Sequence, residues 1–379
     1  MIVISVVALT CAALTFSDIN LISSESVGNI IDGDVNINQL GYEVNYPTVG
    51  DYGQLKSGTQ YIFTDRSKVD SFRAGTITDD LGDLTKIEVD SSQPHGSQKN
   101  PYVIATVDDW TVFTQKIAVD STHGSGKYYV LTNDLDFAGK TFYPATYFKG
   151  TFYGAGRALK NITCDNWLYW NGSQYVNIGN TTNAGFGVFC KAEDATITDL
   201  IVSNINNLNV PNLAAPDVAQ HGPMPSGLIG MGYGTVNVLN THVEGQISSN
   251  ITYSNHTRGA GILAMQRGNA FIYRCSAEMT MSYSSAMSIL FGGIIGQING
   301  STSNKAYVLD CAANIVASGS GSYNHTAIAI ATASSSPLAI ENMIGSAYVT
   351  TTSLNANGGG LGASRNDFSV KNMYVDSMI

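Results

Sequence analysis

From residue 185 onward the sequence repeats one plan, and that repetition constrains the fold more than any other feature. "GFGVFCKAEDATITDLIVSNI", "SGLIGMGYGTVNVLNTHVEGQI", "AGILAMQRGNAFIYRCSAEMTM", "GGIIGQINGSTSNKAYVLDCAANI", "TAIAIATASSSPLAIENMIGSAYV" and "GGGLGASRNDFSVKNMYVDSMI" open on small residues and an aliphatic strand. Each then passes a polar turn of variable length and runs a second strand around Asp199, Asn240, Arg274, Asp310, Asn342 or Asn372. The glycine anchors Gly187, Gly227, Gly261 and Gly293 stand 40, 34 and 32 residues apart, a period that marks stacked units. A unit this short cannot bury both of its faces alone, so neighbours must stack. With Gly-rich turns and no helical pattern between the strands, the expected fold class is all-β, a parallel β-helix with coils about 4.8 Å apart.

Composition agrees and narrows the partners. Charged residues make up 13% of the chain and 39 of its 379 residues are Gly, against ~25% and ~7% in an average domain. A net charge of -10 argues against nucleic acid or an anionic membrane as partner. Residues 1–32 read as a leader: "MIVISVVALTCAALTF" is shorter than the ~20 residues a membrane span needs and is similar to the apolar region of a secretory signal. The expectation is export, to a secreted or cell-surface location, with no membrane insertion of the mature chain.

Residues 33–92 carry short apolar alternations such as Tyr61, Phe63, Ile87 and Val89 between turn residues, which predicts a small β module. In "INQLGYEVNYP", Asn38, Gln39, Gly41 and Tyr42 resemble the start of the immunoglobulin-like domain that precedes the catalytic domain of family 9 cellulases. The large helical catalytic domain of those enzymes is absent, so their chemistry does not carry over. A polar linker is expected at 93–101. Residues 102–184 then read as a cap helix and the first coils. In "YVIATVDDWTVFTQKI", Thr106 is the expected N-cap with Asp109 three residues on, an acidic capping box. Val107, Trp110, Val112 and Phe113 form the face to be buried, placed to cover the first edge of the array.

"FKGTFYGAGRALKNITC" sets Gly150, Gly154 and Gly156 among apolar residues. No Lys-Ser or Lys-Thr follows, as a phosphate loop requires, and Leu159 stands where a dinucleotide fingerprint needs its third Gly. These glycines are expected to turn the chain between strands. Together with "YYVLTNDLDFAG" and the copies of "GGIIG", this stretch resembles the GLUG-motif surface proteins of bacteria across residues 100–379. The resemblance implies a right-handed β-helical stalk with the shape of the pectate lyases. Tyr153 and Ala155 replace the Asp and Asn of that family's turn, which weakens any thought of an ion at the bend.

Catalysis finds little support. Hydrolysis wants two or three carboxylates converging on one bond, whereas Glu193, Asp194, Asp199, Asp217, Glu244, Glu278, Asp310, Glu341, Asp367 and Asp376 fall nearly one per coil. Asp199 and Asp310 read as members of a polar ladder, and Asp134 and Asp136 as binders of turn amides. Neither a polygalacturonase series nor a pectate-lyase Arg motif is present, and His95, His123, His221, His242, His256 and His325 lie in unrelated contexts. No metal site and no cofactor is expected, because Cys164, Cys190, Cys275 and Cys311 lack ligand spacing. Cys275 and Cys311 occupy one place in adjacent repeats and read either as a disulfide or as two inward thiols. Trp167, Tyr169, Trp170 and Tyr175 crowd an otherwise Trp-poor chain. They read either as a cap on the first coils or as a surface that stacks on sugar rings or anchors a protein partner. The expected function is a non-catalytic stalk or adhesin presenting loops to polysaccharide, host glycans or host proteins. The alternative is a polysaccharide-degrading lyase or hydrolase, or its accessory module. Three carboxylates on one coil face would favour the enzyme; a polar, uncharged face would favour the adhesin. The stop at "KNMYVDSMI", mid-repeat and without a polar cap, reads as the end of a fragment.

Overall fold

A computed structural model describes residues 44–45, 50–75, 82–120, 123–178, 185–210, 223–251, 257–285, 288–299, 301–320, 323–333, 337–351, 356–364 and 368–378. The leader at 1–32, the cellulase-like match at Asn38 to Tyr42, and His221, His256, Asp217 and Asp367 lie outside them.

Most strands join one large sheet whose internal pairings are parallel, and each strand pairs with its counterpart one repeat on. Phe189, Ile229, Leu263 and Ile295 share one column, and Ile197, Val238, Ile272, Val308 and Ile340 another. Both columns are buried. This connectivity is that of stacked coils, and it fits a parallel β-helix. The core changes character along the stack. Trp110, Phe113, Phe137, Phe142, Phe148, Phe152 and Phe189 fill the first coils, and aliphatic residues fill the later ones.

The corners explain the repeated Asn and Asp. Asp199, Asn240, Arg274, Asp310, Asn342 and Asn372 all adopt φ between 46° and 55°, the left-handed region that Asn and Asp tolerate best. Their side chains bond along the stack: Asn240 donates to Asp199 at 2.7 Å, Asn342 to Asp310 at 2.6 Å and Asn372 to Asn342 at 2.9 Å. Among the three glycines of residues 148–164, Gly154 and Gly156 flank the turn through Ala155, whereas Gly150 begins a strand. A Cβ on Gly154 would sit 2.4 Å from the Asp199 carbonyl oxygen, so close stacking demands glycine there.

Helix α2 (Val107–Val119) follows the sequence expectation. Thr106 accepts from the Asp109 amide, and the Asp109 carboxylate accepts from the amides of Thr106 and Ala105. Val107, Trp110, Phe113, Thr114 and Ile117 are buried; Val112, expected with them, is only half-buried because it turns away from the coils. Among the described residues no helix is long and apolar enough to cross a membrane.

Two expectations are corrected. The described part of 33–92 is not a pair of packed sheets; it is an antiparallel pair, Gln60–Thr64 with Leu84–Glu88, flanking helix α1 (Arg66–Arg73). Nor do residues 93–101 form a free linker. Gly96 donates to the Asn100 carbonyl at 2.7 Å, Asn100 donates to the Gln93 carbonyl at 2.8 Å, and Asn100 is buried. The antiparallel pair and α1 lie along the corner ladder as a strap. Thr64 donates its amide and hydroxyl to Asp199 at 2.9 and 2.7 Å, Asp83 pairs with Arg274 at 3.0 Å, and Arg73 reaches Asp310 and Glu341. Val69 is fully buried among Leu239, Phe271, Tyr273 and Leu309.

Candidate binding surfaces

The strand that follows each corner presents alternate side chains outward. Register aligns Glu244 with Glu278 and Asn314, Gln246 with Thr280 and Val316, Ser248 with Ser282 and Ser318, and Asn250 with Ser284 and Ser320. The result is a polar face of hydroxyls and amides. Its members bond to one another, Ser248 to Asn207 at 2.8 Å and Ser282 with Ser318 at 3.0 Å, which fixes their orientations. Two shallow grooves lie in it. One, of 370 Å³, runs along the serine columns beside Tyr283; the other, of 300 Å³, lies over Asn204, Asn206, Glu244 and Glu278.

Glu244 and Glu278 are neighbours in one column, followed by Asn314 and Ser346 before Asp376. Three carboxylates therefore do not converge. Glu244 is held below the usual carboxylate range, first by the His242 ring and also by the Asn204 amide, whereas a general acid for glycoside cleavage needs a raised value.

The four aromatic residues found in the sequence do not share one surface. Trp167 is fully buried, its indole donating to the Asn209 carbonyl at 2.8 Å and its ring edge-on to Phe186. Tyr169 packs on the core, and Tyr175 stacks at 4.0 Å on Tyr143 while its hydroxyl accepts from Gln115 of α2. Trp170 is half-buried, edge-on to Tyr175. The hairpin 168–177 thus lies against α2 and pins it to the first coils.

A second outward face was not found in the sequence. Lys191, Met231, Met265 and Gln297 form one column of it, and Glu193, Tyr233 and Arg267 the next. Lys191 lies between two rings, 4.4 Å from the centre of Tyr147 and 4.3 Å from that of Tyr233. Glu193 accepts from Tyr147 and, at 2.9 Å, from Lys149, and these bonds lower its carboxyl below the usual range. Arg267 lies 5.9 Å from the Tyr233 ring. Aligning "FCKAED", "GMGYG" and "AMQRG" by their corners was the signal that places Glu193, Tyr233 and Arg267 in one column.

The remaining sequence candidates have local roles. Asp134 accepts from the Ala158 amide and pairs with Lys160, and Asp136 accepts from the Ala138 amide and Asn161. His95 and His123 pack against Tyr102. Cys275 and Cys311 are buried thiols, the Cys275 amide directed at the Cys311 sulfur at 3.5 Å. Among the described residues no group of three metal-binding side chains occurs. Compared with protein-family models, characterised proteins and solved structures, the chain finds no match.

Proposed function

We propose that this chain is a non-catalytic extracellular surface protein, a stalk or adhesin built on a right-handed parallel β-helix, whose polar face binds glycans. The observation that supports this reading is the unbroken column of Ser248, Ser282 and Ser318 beside Asn207, Gln246 and Thr280. Oriented hydroxyls and amides repeating at the coil spacing of about 4.8 Å offer sugar hydroxyls a regular set of donors and acceptors. Each contact is weak, and affinity comes from many in series along a rigid support.

The rival reading, a polysaccharide-degrading enzyme, draws on the neighbouring Glu244 and Glu278. A glycan array with the purified chain, run beside a Ser282→Arg and Ser318→Arg double variant, tests the first reading, and release of reducing sugar tests the second. Binding that the arginines abolish, with no sugar released, supports the adhesin. Release that Glu278→Gln abolishes would replace it with a hydrolase, and binding untouched by the arginines would remove the polar face from the argument.

A further inference from the structure

The face carrying Lys191 has a different chemistry from the polar face. Within the four coils that include residues 147, 191, 233 and 267 it presents Lys149, Lys191 and Arg267, with Tyr147 and Tyr233 between them. A fourth cation, Arg258, is nearly buried beside it, its guanidinium donating to Gln297. Burial and the nearby Arg267 push Arg258 down to about 10, the response of cations crowded together. Glu193 is the acidic residue of these columns, and its oxygens are engaged by Tyr147 and Lys149. The neighbouring Asp194 accepts from the Thr235 amide at the turn. On a chain of net charge -10, this stripe is a local excess of positive charge.

We infer that this stripe is a second binding site, for an acidic glycan carrying one carboxylate or sulfate on each sugar residue. Three features support that ligand class. The rings and cations alternate from coil to coil, so a sugar face can lie on Tyr147 or Tyr233 while its anionic substituent meets Lys149, Lys191 or Arg267. The parts are fixed before a ligand arrives, because Lys191 is held between two rings and Tyr147 by Glu193, which lowers the ordering cost of binding. The charge density also matches: about one cation per 4.8 Å coil suits one anion per sugar, whereas duplex DNA carries one charge per ~1.7 Å and would meet the acidic remainder of the chain.

The site stands independently of the polar-face reading, since the two faces share no residue. Titration of the full chain with polygalacturonate, dextran sulfate, neutral dextran and single-stranded DNA tests it. We expect binding to an acidic glycan, not to dextran, with affinity that falls as salt rises. A Lys149→Gln and Arg267→Gln double variant, its fold checked by circular dichroism, should lose about tenfold or more and show a salt slope smaller by ~2. Tyr233→Leu should weaken the glycan and leave any DNA binding unchanged. DNA bound as tightly as the glycans would reduce the stripe to unspecific electrostatics and overturn the proposal. So would the absence of binding to both acidic polymers, or binding that the double variant retains.

Discussion

Eight of the ten non-glycine residues with positive φ are Asn or Asp, which leaves Ala155 and Arg274 to be explained. Ala155 sits between Gly154 and Gly156 at the first corner. Arg274 interrupts the amide ladder, and the Asn240 side-chain oxygen has no hydrogen-bond partner among the described residues; Asp83 of the strap answers the arginine instead. Arg274→Asn should therefore supply a donor to Asn240 but strand Asp83, for a loss of ~1–3 kcal/mol, and adding Asp83→Asn should recover most of it. A double-mutant cycle by urea unfolding measures this coupling, and additive losses would deny it. Asp199 makes the second case. Burial raises its carboxyl above the usual value, although Asn240, Thr64 and Thr198 all donate to it. The folded state thus holds this proton more tightly than the unfolded chain. Its contribution to stability is largest below the ordinary value of ~3.9, declines as pH rises to the raised value, and is level above it. Asp199→Asn turns a donor toward the Thr64 amide and should cost ~1–3 kcal/mol at neutral pH. Urea midpoints should show the gap between wild type and variant widening on acidification, and a constant gap would mean that Asp199 does not titrate there.

Helix α2 closes the first coils with a capping box at its start and five buried residues on one face. Thr106→Ala removes one acceptor and should cost ~1 kcal/mol, while Trp110→Ala opens a cavity among Phe113, Phe137, Phe142 and Phe152 and should cost ~3–5 kcal/mol. Thermal or urea unfolding ranks the two, and equal losses would mean that the helix packs loosely. The helix was legible in the sequence because its signals are local, a Thr and an Asp three residues apart before an apolar stripe. The strap was not. Helix α1 has eight residues, RSKVDSFR, and its single fully buried contact, Val69, meets partners from Leu239 to Leu309. Thr64 bonds a residue 135 positions away, and no pattern within residues 33–92 records such a partner.

At the scale of the molecule, the period of small residues and the recurrent Asn or Asp were enough to foresee stacked parallel coils. Each polar corner is a local necessity repeated in every unit. The surfaces were less legible. The aromatic run at 167–175 stood out by composition, yet Trp167 is core, because composition does not reveal which side of a strand meets a neighbouring coil. The cationic stripe emerges only when repeats of unequal length are set in register, and the bulge between Glu193 and Ala195 shifts that register. The strap also bears on how the whole array unfolds. Stacked repeats open coil by coil when nearest-neighbour contacts alone join them. Here Thr64, Asp83 and Arg73 tie the corners at Asp199, Arg274 and Asp310 to one short segment, so opening one coil must break contacts that brace the others. Val69→Asp places a charge in the buried contact with Leu239, Phe271, Tyr273 and Leu309 and should release the strap while the coils persist. In the wild type, amides from 196 to 341 should exchange with hydrogen isotope through one shared opening. In the variant, exchange should become graded, fastest in strands 306–309 and 338–351 and slowest near the aromatic first coils. Circular dichroism should still report the sheet. Uniform exchange in both proteins would show that stacking alone couples the coils and that the strap only covers them.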